Sequence, residues 1–107
     1  LDFIKMSKQK KQVRENFRNI CFKRDGYKCV CCDKKSENLN CHHVSDRNLL
    51  PHGGYVEENG ITLCPECHKL AEVFHETGKA YPGYSPEELY SKINSSYEKA
   101  YLACGKI

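Results

Sequence analysis

The first third of the chain has a helical pattern of apolar positions. An apolar residue recurs at steps of four, three and one, at Val13, Phe17, Ile20 and Cys21. Residues at such intervals share one face of a helix, and Lys and Arg surround them here. The pattern predicts an amphipathic helix over about 7–24, with Gly26 as its C-terminal stop.

The middle of the chain predicts two short strands followed by a helix. Alternating apolar residues place the strands at about 39–44 and 60–64, and the segment 45–59 between them is rich in Asp, Asn, Pro and Gly. Pro65 suits the first turn of a helix that ends near Gly78. The order strand, loop, strand, helix is that of a ββα unit.

A further helix is predicted over about 85–104. Ser85 is placed as its N-cap, Pro86 as its first residue and Glu88 as the capping-box partner. Apolar residues then recur every four positions, at Leu89, Ile93, Tyr97 and Tyr101. We expect this stripe to pack on the domain, and a dimer interface is the alternative. Gly105 is expected to close the helix.

Length and composition predict one small domain, 1–107, with a thin core. Of its 107 residues, 39% are hydrophobic and eight are cysteines, which can hold such a core together. No signal peptide and no apolar stretch of transmembrane length is visible. We therefore expect a cytoplasmic protein without a membrane partner, in which Cys-x-x-Cys pairs bind zinc in preference to forming disulfides.

The cysteine spacing predicts a structural zinc site. Cys29 and Cys32 form one Cys-x-x-Cys pair, and Cys64 and Cys67 form the other. Structural zinc takes four such ligands in a tetrahedron. Cys31 is a competing ligand, but the spacing favours its neighbour Cys32. The remaining thiols are expected to be buried apolar side chains, namely Cys21, Cys41 and Cys104.

Histidines accompany the predicted ββα unit. His42 and His43 lie on its first strand, Asn59 precedes the second, and His68 follows Cys67 directly. The order and the surrounding segments, which together cover roughly 13–75, resemble the HNH endonuclease family. The matching segments are RDGYKC at 24–29, NCHHV at 40–44, GGY at 53–55, NGITLC at 59–64 and PECH at 65–68.

The resemblance implies a small α+β fold with a ββα-metal (His-Me finger) core. That core would span about 27–78, stapled by the four-cysteine zinc site and flanked by the N-terminal and C-terminal helices. The implied chemistry is phosphodiester hydrolysis. A general base takes the proton of the attacking water, and a divalent cation offsets the negative charge that builds on the phosphorane.

The resemblance also implies a role for each matching residue. His43 would be the general base, His42 and His68 would hold the divalent ion, and Asn59 would brace the loop that orients His43. A histidine at position 42, where many family members have an acid, favours Mn²⁺, Ni²⁺ or Zn²⁺, with Mg²⁺ also a candidate. Adjacent strand residues point to opposite faces, so the two histidines can serve one phosphate only where the strand bends or ends.

Further ligands are less clear from the sequence. Glu72 lies four residues after His68 and shares its helix face, so it is either a metal ligand or a solvated carboxylate. His75 lies on the same face, and His52 lies in the loop. For both of these histidines a role outside catalysis is favoured.

Positive charge is concentrated near the N-terminus. The net charge is +3, yet residues 5–28 contain nine of the 17 Lys and Arg and only two acids. We expect Lys11, Arg14 and Arg18 to contact a nucleic-acid backbone, and a solvated helix face is the alternative. Arg47 is a candidate phosphate clamp. A salt bridge with Asp46 or a neighbouring acid is the competing interpretation.

These features predict a metal-dependent HNH endonuclease that cuts double-stranded DNA. One ββα unit has one active site, so a monomer should nick one strand. The first alternative is a zinc-ribbon nucleic-acid binding module whose histidines are structural, and the second is a zinc-stapled protein-interaction domain. RNA stays open as a substrate, and a homodimer or larger complex could supply specificity. The resemblance suggests a bacterial or phage-infected cell as the setting.

Overall fold

The structure is a computed structural model that describes residues 2–106, with side chains for residues 8–106. Its helices and strands, in chain order, are α1 (Asp2–Arg24), β1 (Asn40–His43), β2 (Gly60–Leu63), α2 (Pro65–Thr77), α3 (Pro86–Lys92) and α4 (Tyr97–Cys104). Three short 3₁₀ turns lie between the strands, at Arg47–Leu49, Pro51–Gly54 and Glu57–Asn59. Within 2–106 there is no helix that could span a bilayer. The arrangement confirms the predicted small α+β class.

The two strands form an antiparallel pair that places the histidines. His42 lies opposite Ile61, and His43 lies opposite Gly60. All four residues of β2 are buried, so this strand forms the centre of the domain. The 3₁₀ turns occupy the predicted loop 45–59 and return the chain to β2. The strand order and the helix that follows are those predicted from the sequence.

α2 begins and ends where local chemistry predicts. The Cys64 Sγ accepts a hydrogen bond from the Cys67 amide at 3.5 Å, and Pro65 occupies the first turn. Gly78 ends the helix in the left-handed region, with φ of 79°, and its amide donates to the Phe74 carbonyl at 2.8 Å. Glycine tolerates this conformation because it has no Cβ.

α1 begins five residues earlier than predicted, at Asp2, and is anchored at its C-terminal end. The Arg24 guanidinium donates to the carbonyls of Glu57 and Gly60, each at 2.6 Å. The Asp25 carboxylate accepts from the Thr62 amide at 3.1 Å. These contacts fix the helix against the start of β2.

Only part of the predicted apolar stripe of α1 is buried. Phe17 and Cys21 are buried, whereas Val13 and Ile20 are 45% and 50% exposed. The helix meets the sheet at Gly60, where an added Cβ would lie 2.8 Å from the Phe17 ring and would overlap the Cys21 sulfur. Because α1 approaches the sheet closely only at Gly60, Val13 and Ile20 stay outside the core.

The predicted C-terminal helix differs from the observed structure, which has two helices in its place. α3 ends at Lys92, Asn94 adopts a φ of 54°, and Ser96 caps a new helix by accepting from the Lys99 amide. Asn tolerates positive φ, and Ser side chains compete for backbone groups, so this short segment interrupts the helix. Tyr97 and Tyr101 consequently stay about half exposed.

One core joins the sheet to three of the helices. Its members are fully or almost fully buried: Cys29, Val44, Leu50, Ile61, Leu63, Cys64, Cys67, Ala71, Leu89, Tyr90, Ala100 and Cys104. Three of these are cysteines of the predicted zinc site, so the predicted staple lies within the apolar core. α3 and α4 are held by contacts from Leu89, Tyr90, Ala100 and Cys104.

Candidate metal centres and active site

The two Cys-x-x-Cys pairs come together as one cluster of thiols. Sulfur atoms of Cys29, Cys32, Cys64 and Cys67 all lie within 4.8 Å of one another. Those of Cys32 and Cys64 are 3.7 Å apart. A zinc ion with Zn–S bonds of about 2.3 Å has tetrahedral S···S edges of about 3.8 Å. The four thiols therefore fit a structural zinc ion, and Cys31 lies outside their group among the described residues.

Neighbouring groups change the pKa of one thiol in this cluster and donate a hydrogen bond to another. Burial alone would raise the pKa of the Cys29 thiol, but hydrogen bonds from the backbone at Cys64, Cys32 and Cys31 lower it to about 7. The Tyr84 hydroxyl donates to the Cys67 sulfur at 3.3 Å. Such outer hydrogen bonds orient metal ligands. The Tyr84 contact was not predicted, because only the fold brings the turn 81–84 next to the cysteines.

Glu72 lies between two of the predicted catalytic histidines. Its Oε1 accepts from the His42 Nδ1 and from the His68 Nε2, each at 3.1 Å. The rings of His42 and His68 are 5.2 Å apart. One carboxylate oxygen thus joins strand β1 to helix α2. The sequence left the role of Glu72 open, and the structure places it at the centre of the cluster.

His75 also belongs to the cluster. Donor atoms of His42, Glu72 and His75 lie within 4.8 Å of one another, and the rings of His42 and His75 stack at 5.1 Å. The His75 Nε2 donates to the His43 carbonyl at 3.0 Å. Metal-binding histidines commonly fix their orientation through such a bond from the second ring nitrogen. Sequence reasoning set His75 aside, although its seven-residue distance from His68 places it on the same helix face.

His42 offers a neutral ligand to a metal ion. His42 is 2% exposed, and burial lowers the pKa of its imidazole to about 3, with further lowering by the charges of His68, His75 and His43. Its contact with Glu72 is therefore a hydrogen bond from a neutral ring. Imidazole nitrogens combined with a carboxylate suit a divalent transition metal. The donor set fits such an ion.

His43 lies on the opposite face of β1 from His42. Its ring stacks on Phe17 of α1 at 4.7 Å and meets the edge of Tyr55 at 4.8 Å. Burial, followed by the charge of Arg47, lowers the pKa of the imidazole to about 4, so the ring is neutral at pH 7. Its Nε2 is buried and has no hydrogen-bond partner among the described residues. A neutral imidazole carries a lone pair on one of its two ring nitrogens, which is what a proton acceptor requires.

β1 ends at His43, which meets the condition for both histidines to serve one site. A cleft of about 650 Å³ is lined by both His43 and His68. Arg14 and Arg18 of α1 line the same cleft. The proposed base and a member of the metal cluster therefore meet at one opening that also carries positive charge.

Asn59 is fully buried and braces the loop that follows His43. Its Oδ1 accepts from the Ser45 amide and from the Tyr90 hydroxyl, each at 2.8 Å. Its Nδ2 donates to the carbonyls of Ser45 and Gly54, each at 3.1 Å. Among the described residues the amide makes no hydrogen bond to the His43 ring, and its bonds to the Ser45 backbone fix the chain that follows His43. Tyr90 was not predicted as a partner, because it arrives from α3.

The remaining predicted contact residues lie on α1 and in the first 3₁₀ turn after β1. Lys11, Arg14 and Arg18 line a basic groove of about 490 Å³ on α1. Arg47 donates to the Tyr55 hydroxyl at 3.1 Å, while Asp46 accepts from the Asn48 amide. Among the described side chains Arg47 and Asp46 form no ion pair, so the competing interpretation of Arg47 is not observed.

A comparison with protein-family models finds a match over the same region of the chain. Residues 29–73 match the family model described as HNH endonuclease, which confirms the resemblance found in the sequence. The matched segment contains the four thiols, the predicted histidines, Asn59 and Glu72. No curated protein and no solved structure gives a significant match. The family match suggests a nuclease-type function with a nucleic-acid substrate.

Proposed function

We propose that the chain is a metal-dependent endonuclease that hydrolyses phosphodiester bonds of double-stranded DNA and nicks one strand as a monomer. The observation that carries the proposal is the cleft shared by His43 and His68 within the segment that matches the HNH family. Behind that cleft, Glu72 joins His68 to His42. A binding module has no need of this combination.

His43 is the general base in this proposal. Its imidazole is neutral at pH 7, because burial and the charge of Arg47 hold its pKa near 4. A neutral ring can take the proton of an attacking water, a contribution of about 10²–10⁴-fold in comparable enzymes. Phe17 and Tyr55 hold the ring from two sides. Asn59 fixes the loop that follows it.

The metal cluster begins at His42, on the opposite face of β1 from His43. His42, Glu72 and His75, whose donor atoms lie within 4.8 Å of one another, would hold a divalent ion. The predicted ligand His68, which contacts Glu72 at 3.1 Å, would be an additional donor. When bound there, such an ion supplies Lewis-acid stabilisation of the charge on phosphorus and on the leaving oxygen. The four thiols would hold zinc as a structural element. Cys67 and His68 are neighbours in the first turns of α2, so the zinc would hold the part of the helix that carries His68.

In this proposal the basic residues of α1 bind the substrate. Lys11, Arg14 and Arg18 line one groove beside the cleft. Side chains of this kind bind the phosphate backbone irrespective of sequence and release counterions, so affinity should fall steeply with salt. The proposal gives the chain one catalytic centre, which can cut one strand of a duplex at a time. This supports nicking as the first product.

Cleavage of supercoiled plasmid by purified protein tests the proposal. The reaction is run without added ion and with Mg²⁺, Mn²⁺ or Ni²⁺, beside the His43→Ala variant and a control at the exposed Tyr81, Tyr81→Phe. We expect ion-dependent conversion to open circles that His43→Ala loses and Tyr81→Phe keeps. Linear product at the earliest times would contradict the monomeric mechanism. Salt-sensitive DNA binding without cleavage in any ion would replace the proposal with a zinc-ribbon binding module.

A further inference from the structure

Tyr55 contacts both halves of the proposed active site. Its ring meets His43 edge-on, with centroids 4.8 Å apart and planes at 87°. The same ring meets Phe17 at 5.5 Å and 83°. Its hydroxyl accepts a hydrogen bond from the Arg47 Nη1 at 3.1 Å. One side chain therefore links the proposed base to a candidate phosphate-binding arginine.

Arg47 and Arg14 both lie beside Tyr55. The Arg47 Nη1 donates to the Tyr55 hydroxyl at 3.1 Å, and Arg14 lines a cleft of about 440 Å³ together with Tyr55 and Arg47. Arg14 comes from α1, and Arg47 comes from the first 3₁₀ turn after β1. Burial of the ring would raise the pKa of the phenol, but the two guanidinium groups lower it, Arg47 before Arg14. Two like charges repel at short range, and the phenol dipole beside them offsets part of that repulsion.

The backbone before Tyr55 is adapted to this ring position. Gly53 has a φ of 77°, and an added Cβ would lie 2.9 Å from the Tyr55 Cε2. A side chain at position 53 would push the ring away from His43 and would strain the backbone. The glycine therefore serves the placement of the tyrosine.

Tyr55 also lies on the wall between two clefts. One is the cleft of about 650 Å³ that contains His43 and His68. The other has a volume of about 440 Å³ and is lined by Lys10, Arg14 and Arg47. A polyanion that follows the positive charge from the second cleft into the first crosses Tyr55.

We infer that Tyr55 is a positioning residue for strand cleavage, an inference that rests on the proposed function. Its hydroxyl holds Arg47 beside Arg14 so that the two form one phosphate clamp, and its ring fixes the orientation of the His43 imidazole. The two parts of the side chain have separable effects. Loss of the hydroxyl weakens substrate binding, whereas loss of the ring also slows the chemical step.

The test compares Tyr55→Phe, Tyr55→Leu and a Tyr81→Phe control in ion-loaded protein. Steady-state nicking gives KM and kcat, and fluorescence anisotropy gives the DNA Kd over a range of salt. We expect Tyr55→Phe to raise KM and Kd about tenfold, since the hydrogen bond from the charged Arg47 to the neutral phenol is lost. Its salt slope should fall by about one, with kcat within about twofold of wild type. Tyr55→Leu should lower kcat about tenfold as well.

A double-mutant cycle isolates the clamp. If the hydroxyl acts through Arg47, then Tyr55→Phe should have little further effect on KM in an Arg47→Gln background. Additive effects, or a Tyr55→Phe variant with wild-type KM and salt slope, would overturn the clamp. Equal kcat for Tyr55→Leu and Tyr55→Phe would overturn the role of the ring. A wild-type protein that cleaves nothing would overturn the proposed function itself, and this result is distinct from either of the others.

Discussion

His43 lies directly opposite Gly60 across the two-stranded sheet, and Phe17 fills the space that a side chain at position 60 would occupy. The Phe17 ring stacks on the His43 imidazole at 4.7 Å. A Cβ on Gly60 would lie 2.8 Å from that ring. The N-terminal helix therefore reaches the proposed base because the facing strand has no side chain at that point.

Removal of the proposed base tests the catalytic assignment. His43→Ala should lower the nicking rate by roughly 10²–10⁴-fold, the usual contribution of a general base. Zinc content and circular dichroism should stay at wild-type levels, because the substitution leaves the four thiols and the contact between the His43 carbonyl and His75 in place. Single-turnover cleavage of a labelled duplex gives the rate. Full activity of the variant would exclude His43 as the base.

The histidine and glutamate cluster should bind a divalent ion. Glu72→Gln and His68→Ala should each weaken Mn²⁺ or Ni²⁺ binding by at least about tenfold, since each removes a candidate ligand. His75→Ala should do the same, because its donor atom lies within 4.8 Å of those of His42 and Glu72. Isothermal titration of zinc-loaded protein measures the affinity.

A matched control for the metal experiment lies on the same helix. Glu76 is exposed on α2, so Glu76→Gln removes a carboxylate without touching the cluster. Its Mn²⁺ affinity should equal that of wild type. An unchanged affinity in His68→Ala together with a loss in His75→Ala would transfer the ligand role from His68 to His75.

Replacement of a zinc-site cysteine should unfold the domain. Cys64→Ser removes one ligand and the N-cap sulfur of α2. Structural zinc supplies folding free energy on the order of 10 kcal/mol, more than a small domain can lose. Cys31→Ser is the matched control, because Cys31 lies outside the four-thiol group. Elemental analysis should give one tightly bound zinc for the control, and a folded, zinc-free Cys64→Ser protein would disprove the staple.

Gly54 and Gly78, two of the five glycines with positive φ, separate steric overlap from backbone strain. An added Cβ at Gly54 would lie 2.8 Å from the Asn59 Nδ2, whereas one at Gly78 would meet nothing within 4 Å. Gly78→Ala should lower the free energy of unfolding by about 1 kcal/mol through backbone strain alone. Gly54→Ala should cost about 1–3 kcal/mol more, because the buried amide must shift. Urea unfolding of zinc-saturated protein measures both, and equal losses would show that the Asn59 contact is not tight.

The basic helix should account for the salt dependence of DNA binding. Lys11→Gln, Arg14→Gln and Arg18→Gln should each reduce the slope of log Kd against log salt by about one. Lys79→Gln is a control just beyond the C-terminal end of α2 and should leave the slope unchanged. Fluorescence anisotropy with a non-specific duplex gives the slopes. Wild-type slopes in all three variants would place the nucleic acid elsewhere.

Local chemistry made much of the fold predictable. Pro65 and Gly78 determine the ends of α2 through backbone geometry alone, and the cysteine spacing predicted which four thiols come together. The break between α3 and α4 was missed because the four-residue apolar period continues across it. Serine capping at Ser96 and the positive φ of Asn94 outweigh that periodicity.

The parts of the site that the sequence did not predict depend on distant segments. Tyr55, Tyr84 and Tyr90 donate or accept hydrogen bonds across 8 to 31 positions of the chain. A tyrosine in a loop or helix carries no periodic signal for such a contact. His75 shared the predicted helix face, but only the packing of α2 against β1 brings it to the His43 carbonyl.

Cys67 and His68 are consecutive residues in the first turns of α2, so the two candidate metal centres share one short piece of backbone. A strong chelator is therefore a poor diagnostic of catalytic metal dependence in this protein, because the same treatment would strip the zinc and melt the helix that carries the other ligands. Activity lost in this way should not return when Mn²⁺ alone is added back. Recovery should require zinc first, and the order of addition then becomes a measure of which ion holds the fold and which serves the reaction.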